Sequence, residues 1–178
     1  MSAEQISVQV YQHMIKGMMI HVQMSEYYRF LNLPGYARFH EKQYEEESDG
    51  FMMFVKYYID HFNKLIPEVP IENPNVIPET WYQYTRQDVD INTKKQAVKS
   101  GLEKWISWEK DTKSFYETMF RDLMAEGEIA FALFLKDYVV DVDRELKKAE
   151  KYQLNKKACD YSMEVIIPEQ KAMYEKYR

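Results

Sequence analysis

Only one cysteine, Cys159, occurs in the 178 residues, so no internal disulfide and no thiolate zinc site can form. Glycine and proline are scarce, at five and six, which leaves few helix breakers. No stretch reaches eighteen apolar residues, and this excludes a transmembrane helix. The net charge is −5 with no lysine–arginine cluster, which argues against a generic nucleic-acid binder. The opening "MSAEQISVQV" lacks the basic-then-apolar order of a secretory leader, so a cytoplasmic protein is the default expectation. What is abundant points one way. Apolar residues make up 46% and charged residues 30%, with 15 tyrosines and 11 methionines, the balance of a globular all-α protein. The length suits a single domain over residues 1–178.

Hydrophobic spacing predicts four long helices. The first runs from about Ala3 to Asn32, with Ser2 as N-cap. Its buried seam is Ile6, Val10, Met14, Gly17, His21, Met24, Tyr28 and Leu31, at alternating steps of four and three. "LPG" at 33–35 ends it. The second runs from about Tyr36 to Leu65, with seam Phe39, Gln43, Glu47, Gly50, Phe54, Tyr57 and His61. The third runs from about Thr93 to Ala125, with seam Val98, Leu102, Trp105, Glu109, Thr112, Tyr116, Met119 and Leu123. After the turn "AEGE" the fourth continues to about Gln153, with seam Ala132, Leu135, Val139, Val142, Leu146 and Ala149. A shorter helix, interrupted near Pro168, is expected within residues 157–178.

Loop lengths then give the architecture. Short turns pair the first helix with the second and the third with the fourth as antiparallel hairpins. Residues 66–92 hold four prolines and no helical period, and a connection that long needs a reason. Returning the chain along the bundle, so that the second and third helices run parallel, supplies it. A four-helix bundle over about 3–154 with one long crossover and a short terminal helix is the ferritin-like arrangement. The aromatic "ETWYQY" within the crossover reads as a packed loop or interface.

Two seam positions carry chemistry. Glu47 and Glu109 interrupt apolar rows, and a carboxylate inside a bundle is costly unless paired, protonated or bound to metal. A shift of one residue in either seam would put Glu46 or Trp108 inward instead. Glu45, Glu46 and Asp49 of "YEEESDGF" read as a solvated face, or as a mineral-nucleating patch on an inner cage surface.

The chain resembles the ferritin family over roughly residues 5–154. "GYARFHEKQYEEESDGFMMFVKYY" looks like a ferritin second helix, "WEKDTKSFYETMFRDL" like the third and "FALFLKDYVVDVDREL" like the fourth. The resemblance implies iron binding or storage, ferroxidase-type Fe(II) oxidation if the centre is active, and a homo-oligomer, possibly a cage. Carried over residue by residue, the two family glutamates of the second and third helices land on Glu47 and Glu109. The histidine of the family's E-x-x-H lands on Gly50, as it does in the vertebrate light chain, which lacks a working ferroxidase centre. The glutamate of the first helix lands on Met14, with Gln12 and His13 adjacent, and the fourth-helix ligand lands on Val142, beside Asp141. The supporting tyrosine lands near His21. Two carboxylates do not hold two Fe(II) ions, since each wants about one histidine and two carboxylates. The expectation is therefore an altered or incomplete centre, at most a single metal on Glu47, Glu109 and His21, with His13 or Asp141 as outer candidates. A non-catalytic ferritin-like bundle is the alternative. "PGYARFHEKQYEEE" also has a passing likeness to the starvation-induced, DNA-protecting (Dps) branch, but the acidic spacing after His40 differs and no lysine-rich tail is present.

Overall fold

The computed structural model describes residues 1–178. Five helices follow in order: α1 Ala3–Phe30, α2 Pro34–Phe62, α3 Ile91–Glu126, α4 Ile129–Ala158 and α5 Met163–Lys176. The caps are written in the sequence. Ser2 and Gln5 form a reciprocal capping box at the start of α1. Asn32 takes a left-handed conformation in the α1–α2 turn, which asparagine tolerates, and Pro34 opens α2. Gly127, at φ 82°, closes α3, and Glu128 N–H reaches back to the Leu123 carbonyl at 2.9 Å. No helix is long and apolar enough to cross a membrane.

α1 pairs with α2, and α3 with α4, as antiparallel hairpins. The crossover between α2 and α3 lies along α1. Lys16 meets Glu72 at 2.8 Å, Gln23 holds Asn73 and the backbone of Val76, and Trp81 stacks on Tyr27 with centroids 5.0 Å apart. Within "ETWYQY" Trp81 alone packs, while Tyr82 and Tyr84 stay exposed. Residues 79–83 and 86–88 form two short 3-10 helices, where the sequence shows no helical period.

Two apolar clusters fill the bundle. One gathers Met24, Tyr28, Leu31, Phe39, Trp105 and Ala149 with Ile166 and Met173 of α5. The other gathers Ile6, Val10, Phe54, Tyr116, Leu123, Phe131 and Leu135. The C-terminal ends of α2 and α3 meet in this second cluster, so these helices run parallel as the loop lengths require. Between the clusters lies a layer where the seams turn polar, with Gln43, Glu109 and Thr112 buried in it.

All eight predicted seam residues of α1 and all eight of α3 are buried. Two expectations need correction. Past Phe54 the inward row of α2 continues at Tyr58, not at Tyr57, and His61 is exposed. The next step there is four residues rather than three. Pro168 does not interrupt α5. It lies near the helix start and forfeits one backbone hydrogen bond. Docking compensates for that loss: the α5 backbone at Gln170 sits so close to Gly35 that no side chain fits between them. The Gln170 amide oxygen accepts from Gly35 N–H at 2.9 Å. Buried Lys156 pairs with Glu169, which also accepts from the Tyr36 hydroxyl at 2.5 Å.

Candidate metal centre

The polar layer is built from all four bundle helices. Glu47 projects from α2 toward Gly17 of α1. A Cβ at Gly17 would collide with the Glu47 carboxylate and stand 3.2 Å from the Trp108 ring, so this glycine makes the room that both occupy. His21, one turn further along α1, is 1% exposed and places Nε2 at 3.3 Å from Glu47 Oε1. Its other nitrogen, Nδ1, lies 3.0 Å from Nδ1 of His40, 3% exposed on α2. Across the layer, Glu109 of α3 is 4% exposed and accepts from Trp105 Nε1 at 2.8 Å.

The electrostatics follow from burial and from these partners. Burial alone would depress the His21 pKa, but the Glu47 hydrogen bond and the charges of Glu47, Glu109 and Glu145 outweigh it and raise the value. His40 is held well below the usual histidine range by burial, then by His21 and Lys148. Burial lifts Glu109 to about 7, with Glu47 adding to the rise while His21 and the Trp105 N–H oppose it.

Gly50, where the resemblance leads one to expect a histidine, has Tyr138 of α4 beside it, whose ring edge is at contact distance and whose hydroxyl donates to the Gly50 carbonyl at 2.8 Å. Met14 and Val142 add apolar wall beside it. Together these residues enclose a cavity of about 370 Å³. Glu46 and Asp141 stay exposed at its rim. Glu46 accepts from Gln43 at 2.9 Å, and Asp141 accepts from Arg144 at 2.9 Å. The off-by-one seams are excluded, since Glu46 is exposed and Glu109 is buried. His13 is sandwiched between Trp108 and Phe115, with centroids 4.6 and 4.1 Å away, and its Nε2 meets Thr112 Oγ1 at 2.9 Å.

No group of three or more His, Cys, Asp and Glu side chains is arranged to hold a metal ion. Glu109 faces Trp105, while Glu47 faces His21. The donor set therefore does not fit a two-iron centre: Met14, Gly50 and Val142 offer no ligand. It does contain the imidazole and two carboxylates that one iron-type cation uses. Trp108 Nε1 is buried in the wall with no partner, a donor that suits water or an oxygen ligand rather than a cation. Sequence reading missed His40, Tyr138 and Glu145 as parts of this layer, and it placed Trp105 on the seam without its bond to Glu109. No helical period singles out the first three.

The fold is that of the ferritin-like proteins. Among solved structures, an engineered closed form of the Archaeoglobus fulgidus ferritin matches with TM-score 0.79 and 15% identity over 98% of this chain and 96% of its own. A humanized archaeal ferritin matches with TM-score 0.80 and 14% identity over 98% and 97%. Apo-ferritin from Pseudo-nitzschia multiseries matches with TM-score 0.74 and 9% identity over 95% and 96%. No protein-family model matches the sequence, and no curated protein does. At such identities the likeness defines the architecture, and the chemistry has to be argued from the side chains.

Proposed function

We propose that the chain is a ferritin-like iron-binding and iron-storage subunit with an altered ferroxidase centre. Iron is its cargo. The observation that carries the reading is the inward placement of Glu47 and Glu109 at one level of the bundle, with His21 against the first and the cavity between them. For those three residues to hold one Fe(II), Glu109 would have to turn from Trp105 toward Glu47 and His21, and Met14, Gly50 and Val142 give the second position of a two-iron centre no ligand. Fast paired-iron oxidation is not expected, because two-electron chemistry on dioxygen needs the second metal. Structures of a ferritin with this fold carry variants soaked in iron, which makes iron the first cation to test.

The subunit would work in a homo-oligomer, possibly a cage. Met19, Val22, Met52, Met53 and Ile59 expose an apolar set on α1 and α2 that assembly would cover. The exposed carboxylates Glu45, Glu46 and Asp49 would serve mineral nucleation if they face a cage interior.

A second reading, a non-catalytic structural bundle, is favoured by one observation. His21 already pairs with Glu47, and burial lifts Glu109 toward its neutral form, so the layer is compensated without metal. Thermal unfolding separates the two. Under the iron-binding reading, anaerobic Fe(II) raises the melting temperature of the wild type and leaves that of Glu47→Gln/Glu109→Gln unchanged. No Fe(II)-dependent shift in the wild type would sink the iron-binding reading and leave the structural one.

A further inference from the structure

We infer that His40 is a positioning residue that fixes the His21 ring with Nε2 turned to Glu47. The two Nδ1 atoms stand 3.0 Å apart, a hydrogen-bond distance at which one ring must donate and the other accept. Both rings are buried, so water cannot substitute for either partner.

His40 sits in an aromatic box. Tyr28 lies nearly parallel to it at 5.5 Å, while Trp105 at 5.5 Å and Phe39 at 5.1 Å present edge-on contacts. On its outer side is a small, mostly apolar cavity of about 20 Å³ shared with Tyr152 and Lys156. None of these neighbours is a carboxylate, so the box favours a neutral His40. His21, by contrast, has the Glu47 carboxylate at its other nitrogen. One of the two Nδ1 atoms donates to the other, and either direction ties the His21 ring to α2 while its Nε2 faces Glu47.

The consequence is geometric. A flipped His21 ring would lose the bond to His40 and strand a buried polar nitrogen, so only one orientation satisfies both ends. A histidine that serves a metal is commonly held this way through its far nitrogen by a carboxylate or carbonyl. Here a second imidazole does it, from the helix that also carries Glu47. The role of His40 toward metal rests on the iron-binding reading, but its role toward His21 does not.

The test begins with metal-free, 15N-histidine-labelled protein. A through-hydrogen-bond 15N–15N coupling between the two Nδ1 atoms is expected. Absence of the coupling overturns the inference. Two variants extend it. His40→Asn keeps a hydrogen-bonding group near the Nδ1 position and should preserve the His21 ring signals. His40→Phe keeps the ring volume, removes the hydrogen-bond partner and should shift them. In anaerobic Fe(II) calorimetry His40→Phe should bind on the order of tenfold more weakly, with His40→Asn recovering most of the loss. Wild-type affinity in His40→Phe would contradict the positioning role. If the wild type itself binds no Fe(II), the iron-binding reading falls, and the metal-free spectra still decide the His40 contact.

Discussion

The Tyr138 hydroxyl donates to the Gly50 carbonyl across 2.8 Å, and its ring edge lies 3.4 Å from where a Cβ at Gly50 would stand. A tyrosine of α4 thus borders the place that a side chain on α2 would enter, on the wall of the cavity. The glycine and its neighbour are matched across the two helices.

That match predicts opposite outcomes for two substitutions. Gly50→Ala adds a methyl at ordinary contact distance and should stabilise the protein by about 0.5–1 kcal/mol through helix propensity. Gly50→His must fit an imidazole beside the Tyr138 ring edge and should destabilise by roughly 1–3 kcal/mol through overpacking there. Denaturant unfolding of the two variants checks both signs, and a stable Gly50→His would show that Tyr138 yields easily.

Gly17 faces the Glu47 carboxylate and the Trp108 ring. In Gly17→Ala the new methyl displaces the far end of a flexible glutamate that is already a third exposed. The gain in helix propensity, about 1 kcal/mol, offsets the crowding against Trp108, so stability should change by less than about 1 kcal/mol. Fe(II) binding should weaken by on the order of tenfold, because Glu47 leaves its inward position. Calorimetry beside an unfolding curve measures both. Equal loss of stability and binding would contradict this account of Gly17.

His13 gives a pH prediction. Burial, then the charge of Lys16, pushes its pKa from 6.5 down to about 4. Between those values the unfolded chain binds the proton that the folded one refuses, so stability rises with pH across this window. The contribution is fully present above about pH 6.5 and lost as pH falls toward 4. Replacing the stacked imidazole by His13→Phe should remove this dependence, on the order of 2 kcal/mol once the partly exposed edge is allowed for. Unfolding free energies of wild type and variant at pH 7 and pH 4.5 give the comparison. Parallel losses in the two proteins would rule His13 out as the source.

Much of the architecture was legible in the sequence, and the reason is periodicity. The seams of α1 and α3 are long and regular, and the crossover length leaves only one direction for α3. Glu47 and Glu109 were legible as charged interruptions of otherwise apolar rows. At the end of α2 the pattern blurred, because Tyr57 and Tyr58 offer the same side chain at steps of three and four from Phe54. His40 was not legible. It follows Phe39 on the chain and so falls beside the seam, and only the fold brings it to His21 on the neighbouring helix. Pro168 misled for a local reason, since a helix near its start tolerates a missing donor when the docked face is well packed.

The central claim is that the bundle holds one iron site, on Glu47, Glu109 and His21, in place of two. Anaerobic Fe(II) calorimetry on metal-free protein, with wild type beside Glu47→Ala/Glu109→Ala, tests it most directly. One saturable Fe(II) per chain in the wild type and none in the double variant is the predicted result. Two ions per chain, no saturable binding, or binding that survives in the double variant would contradict it.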